Sequence, residues 1–312
     1  MAKIAIVGAS GKLGGATLSA LLQHNLAPPS DIIALTSSSS SSSSAPESQD
    51  VHTLFLVSTP DIALDFGVPM DYDGTSAGAE KDGKGRESHH KNAIDAAVRA
   101  GVKWIVYSSL GFGFSKGKGK GKGVSGESKA GVMRAHLRTE AYLRAISAEH
   151  DGVQITILRE GLYNESWPLY LGYFDVAHAR EERDVVVLGG DGKICWTAIH
   201  DLGVASALVL ASATKSATEQ EREEERGKGV KVEIVGRKEH ERFYVEEKRM
   251  ERPAVEWWAS TYEALEDGEC LVDDPVLERL LARVGLKPIP VEDTVAAMVR
   301  GEGGWNSRQQ KA

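Results

Sequence analysis

The chain reads as an α/β protein built on a doubly wound parallel sheet, with a small C-terminal subdomain. Three observations predict this. Short, nearly all-apolar runs recur along the first half of the sequence. Amphipathic helical patterns follow several of them, and a glycine-rich turn joins the first run to the first helix. A strand exposed on one face alternates apolar with polar residues, so nearly continuous apolar strands imply a sheet covered on both sides.

The elements follow in order. KIAIVGASGKLGGATLSALLQ opens with a strand, turns at glycine and continues as a helix. DIIALT (Asp31 to Thr36) is a second strand and VHTLFLVSTP (Val51 to Pro60) a third. SHHKNAIDAAVRAGV is an amphipathic helix leading into the strand KWIVYSSL (Lys103 to Leu110). SKAGVMRAHLRTEAYLRAIS is the next helix and VQITILREG the next strand. Past Gly161 the rhythm loosens. ICWTAIHDLGVASALVLASA reads as a strand edge and then a helix capped by Asp201. VKVEIVG is a further strand and PVLERLLARVGL a late helix. The expected division is 1–160 for the core and 161–312 for the remaining core elements plus a subdomain, as one unit overall.

Composition excludes several classes. The 312 residues carry a net charge of −8, which argues against a general nucleic-acid binder because phosphate neutralisation needs a basic surface. Cys195 and Cys270 offer neither a disulfide framework nor a metal spacing. No apolar run approaches the roughly 20 residues that span a bilayer. The first strand begins almost at once, without the layout of a signal peptide. The expectation is a cytoplasmic protein with no bound metal and no membrane partner. The serine run 37–44, the basic KGKGKGKG (Lys116 to Gly123) and the charge run EQEREEERGKG read as solvated segments.

Gly8, Gly11 and Gly14 form GxxGxxG between a strand and a helix. The first allows a tight turn, the second a close approach to a pyrophosphate, and the third helix–strand packing. Phosphates then sit on free amides at the helix N-terminus. The pattern alone is weak, but its strand–turn–helix context is the one dinucleotide binding requires.

The ordered set VGASGKLGG, TLFLVSTP, HHKNAIDAAVRAGVKWIVYSSL, HLRTEAYL, LREGLYNESW and WWASTYEALEDGE resembles the NmrA-like family of atypical short-chain dehydrogenases/reductases. It is most similar to the NAD(P)H:quinone oxidoreductase and triphenylmethane reductase type, of fungal character. The resemblance implies a Rossmann-type core, NADP(H) or NAD(H), and a C-terminal substrate subdomain. By position it assigns Gly8, Ser10, Gly11, Lys12, Leu13 and Gly14 to the pyrophosphate, and Thr36 and Ser37 to the adenosine ribose. Ser58, Thr59 and Pro60 line the path toward the nicotinamide. Ser108, Ser109 and Leu110 reach the nicotinamide ribose, His136 and Glu140 stand beside the cofactor, and Tyr163, Asn164 and Glu165 face the substrate.

Two departures are visible. Only fourteen residues separate Thr36 from Val51, where the family places another strand with an acidic residue near the adenine. A long insert, DFGVPMDYDGTSAGAEKDGKGRE, follows the third strand. The end of the second strand carries no carboxylate to favour the free ribose hydroxyl of NAD, which with Lys12 nearby favours NADP(H) over NAD(H).

The chemistry starts from an absence. Short-chain dehydrogenases place a Tyr and, four residues on, a Lys at the positions held here by Val132 and His136. Alcohol–carbonyl interconversion by that mechanism is disfavoured. Quinone reduction asks mainly for stacking and exclusion of water, since the cofactor carries the chemistry. His136 is the candidate catalytic group, orienting the cofactor or stabilising a hydroquinone anion; it also reads as a helix histidine paired with Glu140. Tyr107 reads as core and His89 and His90 as a surface helix start. Trp257, Trp258 and Tyr262 read equally as a lid or as core. Two functions fit: hydride transfer from NAD(P)H to a quinone or similar flat acceptor, or a non-catalytic NAD(P) sensor that docks on a transcription factor.

Overall fold

The computed structural model describes residues 3–35, 51–66, 85–113, 127–174, 186–212, 232–272 and 274–302. Five strands form the central sheet: β1 (Lys3–Val7), β2 (Ile32–Leu35), β3 (Val51–Leu56), β4 (Trp104–Leu110) and β5 (Gln154–Glu160). Their order is β2-β1-β3-β4-β5, and every pairing is parallel. The strand order reverses between β1 and β3, which places a crevice for ligands at the carboxyl ends of these strands.

The reason for the all-apolar strands is now explicit. Ile4, Ile6, Phe55 and Val106 point to one face, where they meet α1 (Lys12–Gln23), α5 (Ile199–Ala211) and α8 (Val276–Ala282). Ala5, Leu54, Leu56, Ile105 and Tyr107 point to the other, against α2 (Arg86–Arg99) and α3 (Met133–Glu149). Alternate residues reach opposite faces of a strand, so both faces need apolar side chains. The arrangement is a Rossmann-like, doubly wound sheet.

Beyond β5, β6 (Leu162–Tyr163) pairs with β8 (Trp196–Thr197), and β7 (Val186–Leu188) pairs with β9 (Val232–Ile234). Between them lies the single turn α4 (Trp167–Tyr170). Helices α6 (Arg237–Arg242) and α7 (Arg252–Glu266) pack on one another, and α9 (Val291–Val299) comes last. Trp257, Trp258 and Tyr262 lie on α7. Trp257 meets Phe66 and Trp258 edge-on, Trp258 meets Tyr170, and Tyr262 meets His240. Of the two roles open to these aromatics, they fill core packing.

Asp201 is not an N-cap. Helix α5 begins two residues earlier, with Ala198 as its cap residue. The Glu165 carboxylate accepts the Ile199 N–H (3.2 Å), so the helix start is satisfied from another segment. Asp201 sits buried in the first turn and accepts the Ile289 N–H (2.6 Å). Among the described residues, no helix is long and apolar enough to cross a membrane. The Ser-rich run, the KGKGKGKG segment, the charge run and most of the insert lie outside the described residues.

Candidate active site

The site is built on the carboxyl edge of the sheet. Gly8 follows β1 directly with φ +78°, a conformation that glycine adopts without a Cβ penalty. Its N–H donates to the Leu35 carbonyl at the end of β2 (3.1 Å), and its own carbonyl accepts from the Gly11 N–H (2.8 Å). A Cβ on Gly14 would stand 2.2 Å from the Gly8 oxygen, so only glycine lets α1 approach the turn this closely. Helix α1 starts at Gly11 with no side-chain cap and no acidic residue in its first turn. Its N-terminal amides therefore face the crevice with the positive end of the helix dipole behind them. Ser10 and Gly11 are exposed, Lys12 is half-buried, and Leu13 and Gly14 are buried beneath them.

Lys12 opens onto a groove of about 410 Å³ between α1 and α5, which Ser19, Gln23, Glu165 and His200 also line. Burial holds the Lys12 amine below its ordinary range, and the Glu165 carboxylate partly offsets this. Thr36 and Ser37 lie outside the described residues.

The ends of β3 and β4 are tied together. The Ser58 N–H donates to Ser108 Oγ (3.0 Å). Ser109 donates to Glu140 (2.7 Å), so its hydroxyl is turned under α3. Ser108 and Ser109 are buried, Ser58, Thr59 and Leu110 half-buried, and Pro60 exposed. Ser58 and Ser108 thus meet where the two strands end, and both Ser108 and Ser109 already hold protein partners.

His90 is not on the surface. It is 1% exposed, and its Nε2 accepts the Thr59 N–H (3.1 Å). The ring proton therefore sits on Nδ1 and points to Thr139 Oγ1 (2.8 Å), whose own proton goes to the Ala135 carbonyl (2.7 Å). Burial and the nearby Arg86 push its pKa down to about 3, so His90 is neutral. The helix pattern turned this histidine inward at the point where α2 passes β3, which a dipeptide of histidines at a helix start does not signal.

His136 does not pair with Glu140. Its Nδ1 lies 3.0 Å from the Tyr107 hydroxyl, and Arg86 Nη1 stands 3.5 Å from its Nε2. Burial, and then the charge of Arg86, hold it well below the ordinary histidine range, so the imidazole is neutral. Glu140 instead accepts from Arg159 (2.9 and 2.8 Å) and Arg144 (3.1 Å).

Arg86 has no counterpart in the sequence reading, because it lies at the end of a charged insert. It is 3% exposed and forms a bidentate contact with Asp65, through its backbone N–H (2.9 Å) and Nε (2.7 Å). Its Nη2 donates to the Val132 carbonyl (2.9 Å) and its Nη1 reaches Ser58 Oγ (3.3 Å). A buried, paired guanidinium thus stands beside the position where the Tyr of a short-chain dehydrogenase is absent.

Of the three residues assigned to the substrate side, Tyr163 is half-buried and donates to Glu160 (3.0 Å). Glu165 lines the Lys12 groove while capping α5. Asn164 is fully buried, and its amide donates to the Ile289 carbonyl and Thr294 Oγ1 (3.0 Å each). It anchors the C-terminal segment and does not face an opening.

No family model matches the chain. It is 29% identical over 227 residues to the NmrA-like family domain-containing oxidoreductase flvB of Aspergillus flavus, covering 67% of this chain and 66% of that protein. It is 28% identical over 218 residues to Quinone oxidoreductase 2 of Escherichia coli, covering 67% and 64%. Both relatives are named as oxidoreductases, and the chain is similar to each over about two thirds of its own length. The matched region spans just under two thirds of the length of these two relatives. Among solved structures, the triphenylmethane reductase of Citrobacter sp. superposes with a TM-score of 0.60 at 22% identity, over 96% of this chain and 99% of that one. The NADPH-dependent quinone oxidoreductase of Escherichia coli gives 0.58 at 18% identity, over 95% and 99%. At these identities the superpositions speak for the fold.

Proposed function

We propose that the protein is an NAD(P)H-dependent oxidoreductase that reduces a quinone or a similar flat, conjugated acceptor. The observation that carries this is the Gly8–Gly14 turn, with its positive φ, its close helix packing and the uncapped start of α1, set at the reversal of strand order. A pyrophosphate fits such a cradle. The relatives' names point the same way: one is a quinone oxidoreductase, and the triphenylmethane reductase has been solved with NADP(H).

In this reading the amides of Ser10 to Leu13 hold the pyrophosphate. Ser58, Thr59 and Pro60 guide the cofactor along β3, and Ser108, Ser109 and Leu110 support its ribose end at β4. Bound NADP(H), favoured over NAD(H), supplies the hydride. The neutral His136, fixed by Tyr107, keeps its side of the edge polar without adding a charge. Arg86 sits behind it, paired with Asp65, and its charge helps to keep the His136 imidazole neutral.

NADPH at about 100 times its Kd stabilises a protein that binds it only when folded by about 2.7 kcal/mol. A rise in melting temperature is expected with NADPH and a smaller one with NADH. Gly11→Asp should abolish it, because the new carboxylate meets the pyrophosphate. The variant's melting temperature without cofactor is the control, since a Cβ at Gly11 stands 3.1 Å from the Gly8 oxygen. Absence of a shift with either cofactor would remove the proposal.

A further inference from the structure

We propose that Glu160 and Tyr163 form a proton-delivery pair at the carboxyl edge of the sheet, in which Tyr163 protonates the reduced acceptor and Glu160 resupplies Tyr163. The inference rests on the reading of this edge as a site of hydride transfer.

Glu160 is the last residue of β5, opposite Leu110 at the end of β4. It is 5% exposed and follows Ile155, Ile157 and Leu158 on the strand. One carboxyl oxygen, Oε2, accepts the Tyr163 hydroxyl at 3.0 Å. The other, Oε1, is buried with no hydrogen-bond partner among the described residues. A buried carboxylate with an orphaned oxygen is costly, and a carboxyl in that position holds its proton instead. Burial pushes its pKa up to about 8, against a smaller opposing effect of the Tyr163 hydrogen bond. Among the described residues no cation offsets it: Arg159, the neighbouring residue, is turned to Glu140 and the Phe112 carbonyl.

Tyr163 stands in the right place to use that proton. Its ring packs against the cluster that contains Ala9, Leu13 and Phe55, the apolar floor of the glycine turn. Its hydroxyl is influenced by Glu160, Glu165 and Tyr107, and its pKa is held well above the ordinary range, chiefly by burial. The other charged groups around the pair are Lys12, which faces Glu165, and Asp201, which faces Glu165 from α5. With Glu160 protonated, its O–H can donate to the Tyr163 oxygen, which frees the Tyr163 proton for another acceptor.

The step balances. NAD(P)H provides the hydride, and so both electrons, to the acceptor, which becomes an anion on oxygen. The Tyr163 O–H bond breaks and its proton joins that oxygen. The Glu160 proton passes to the Tyr163 oxygen, and Glu160 regains a proton from water. The sum is one cofactor oxidised, one proton consumed and one acceptor reduced by two electrons. Tyr163 is thus the catalytic residue of the pair, and Glu160 a positioning and supply residue that acts through it.

The test has two arms. Infrared spectra of the cofactor-free protein are recorded between about pH 5 and pH 10, a range that brackets both the ordinary and the raised carboxyl. A protonated-carboxyl band should persist past neutrality, disappear with a midpoint near 8, and be missing in Glu160→Gln, which separates it from Glu165. In the second arm, NADPH oxidation by a naphthoquinone is followed across the same range. Tyr163→Phe, which keeps the ring packing, should slow turnover roughly 100-fold. The wild type should lose rate above about pH 8, and Glu160→Gln should lose that dependence. An ionised Glu160 at neutral pH, or Tyr163→Phe with full rate and an unchanged pH profile, overturns the pair. A wild type that turns over no quinone, while the infrared band still titrates near 8, overturns the oxidoreductase reading and the delivery role with it, leaving only a buried acid.

Discussion

Asp65→Ala is expected to lower stability by about 3–5 kcal/mol, the cost of leaving a buried charge without its partner. Arg86 is the charge. Its Nε and its backbone N–H both donate to Asp65, and the side chain is 3% exposed. The pair also closes the base of the long insert, since Asp65 ends the segment after β3 and Arg86 opens α2. Chemical denaturation of the variant measures the loss. Replacing both partners by apolar residues, Asp65→Leu with Arg86→Met, should recover most of it, because removing a whole buried pair is far cheaper than breaking one. A single-variant loss under about 1 kcal/mol would place the pair in solvent.

His136→Ala should slow quinone reduction by roughly 10- to 1000-fold, the usual range for losing one positioning or stabilising contact. Its effect on folding should be smaller. The variant removes one partner of the Tyr107 hydroxyl, which costs about 1–3 kcal/mol for a buried group. Steady-state kinetics and thermal melting on the same preparation separate the two. A variant that melts lower but keeps its full rate would make His136 a packing residue whose work is to satisfy Tyr107.

The sheet was legible because its cause is local. A strand buried on both faces must be apolar at every position, and KIAIV, VHTLFL and WIVYSS are close to that. The glycine turn was legible for the same reason: each glycine answers a backbone requirement that can be stated before any fold is known. The polar interior was not. Which side of α2 faces β3 decides the fate of His90, and the sequence places two histidines side by side at that point. Glu165 fills the capping role read for Asp201, because a carboxylate distant in sequence satisfies the start of α5, which no local capping rule anticipates. Arg86 read as part of a charged insert, although it is paired in the core. Glu160 did carry a signal, the one acid of its strand, whose meaning depended on what its oxygens meet.

The decisive measurement is the decay of NADPH absorbance with a small benzo- or naphthoquinone, against the same mixture without acceptor. Hydride transfer to a strong acceptor needs stacking geometry rather than an activated Tyr–Lys pair, so the vacancy at Val132 does not forbid it. The account predicts acceptor-dependent oxidation that Gly11→Asp abolishes. Tight binding of NADPH with no oxidation by any acceptor would contradict it, and would make the protein a cofactor sensor.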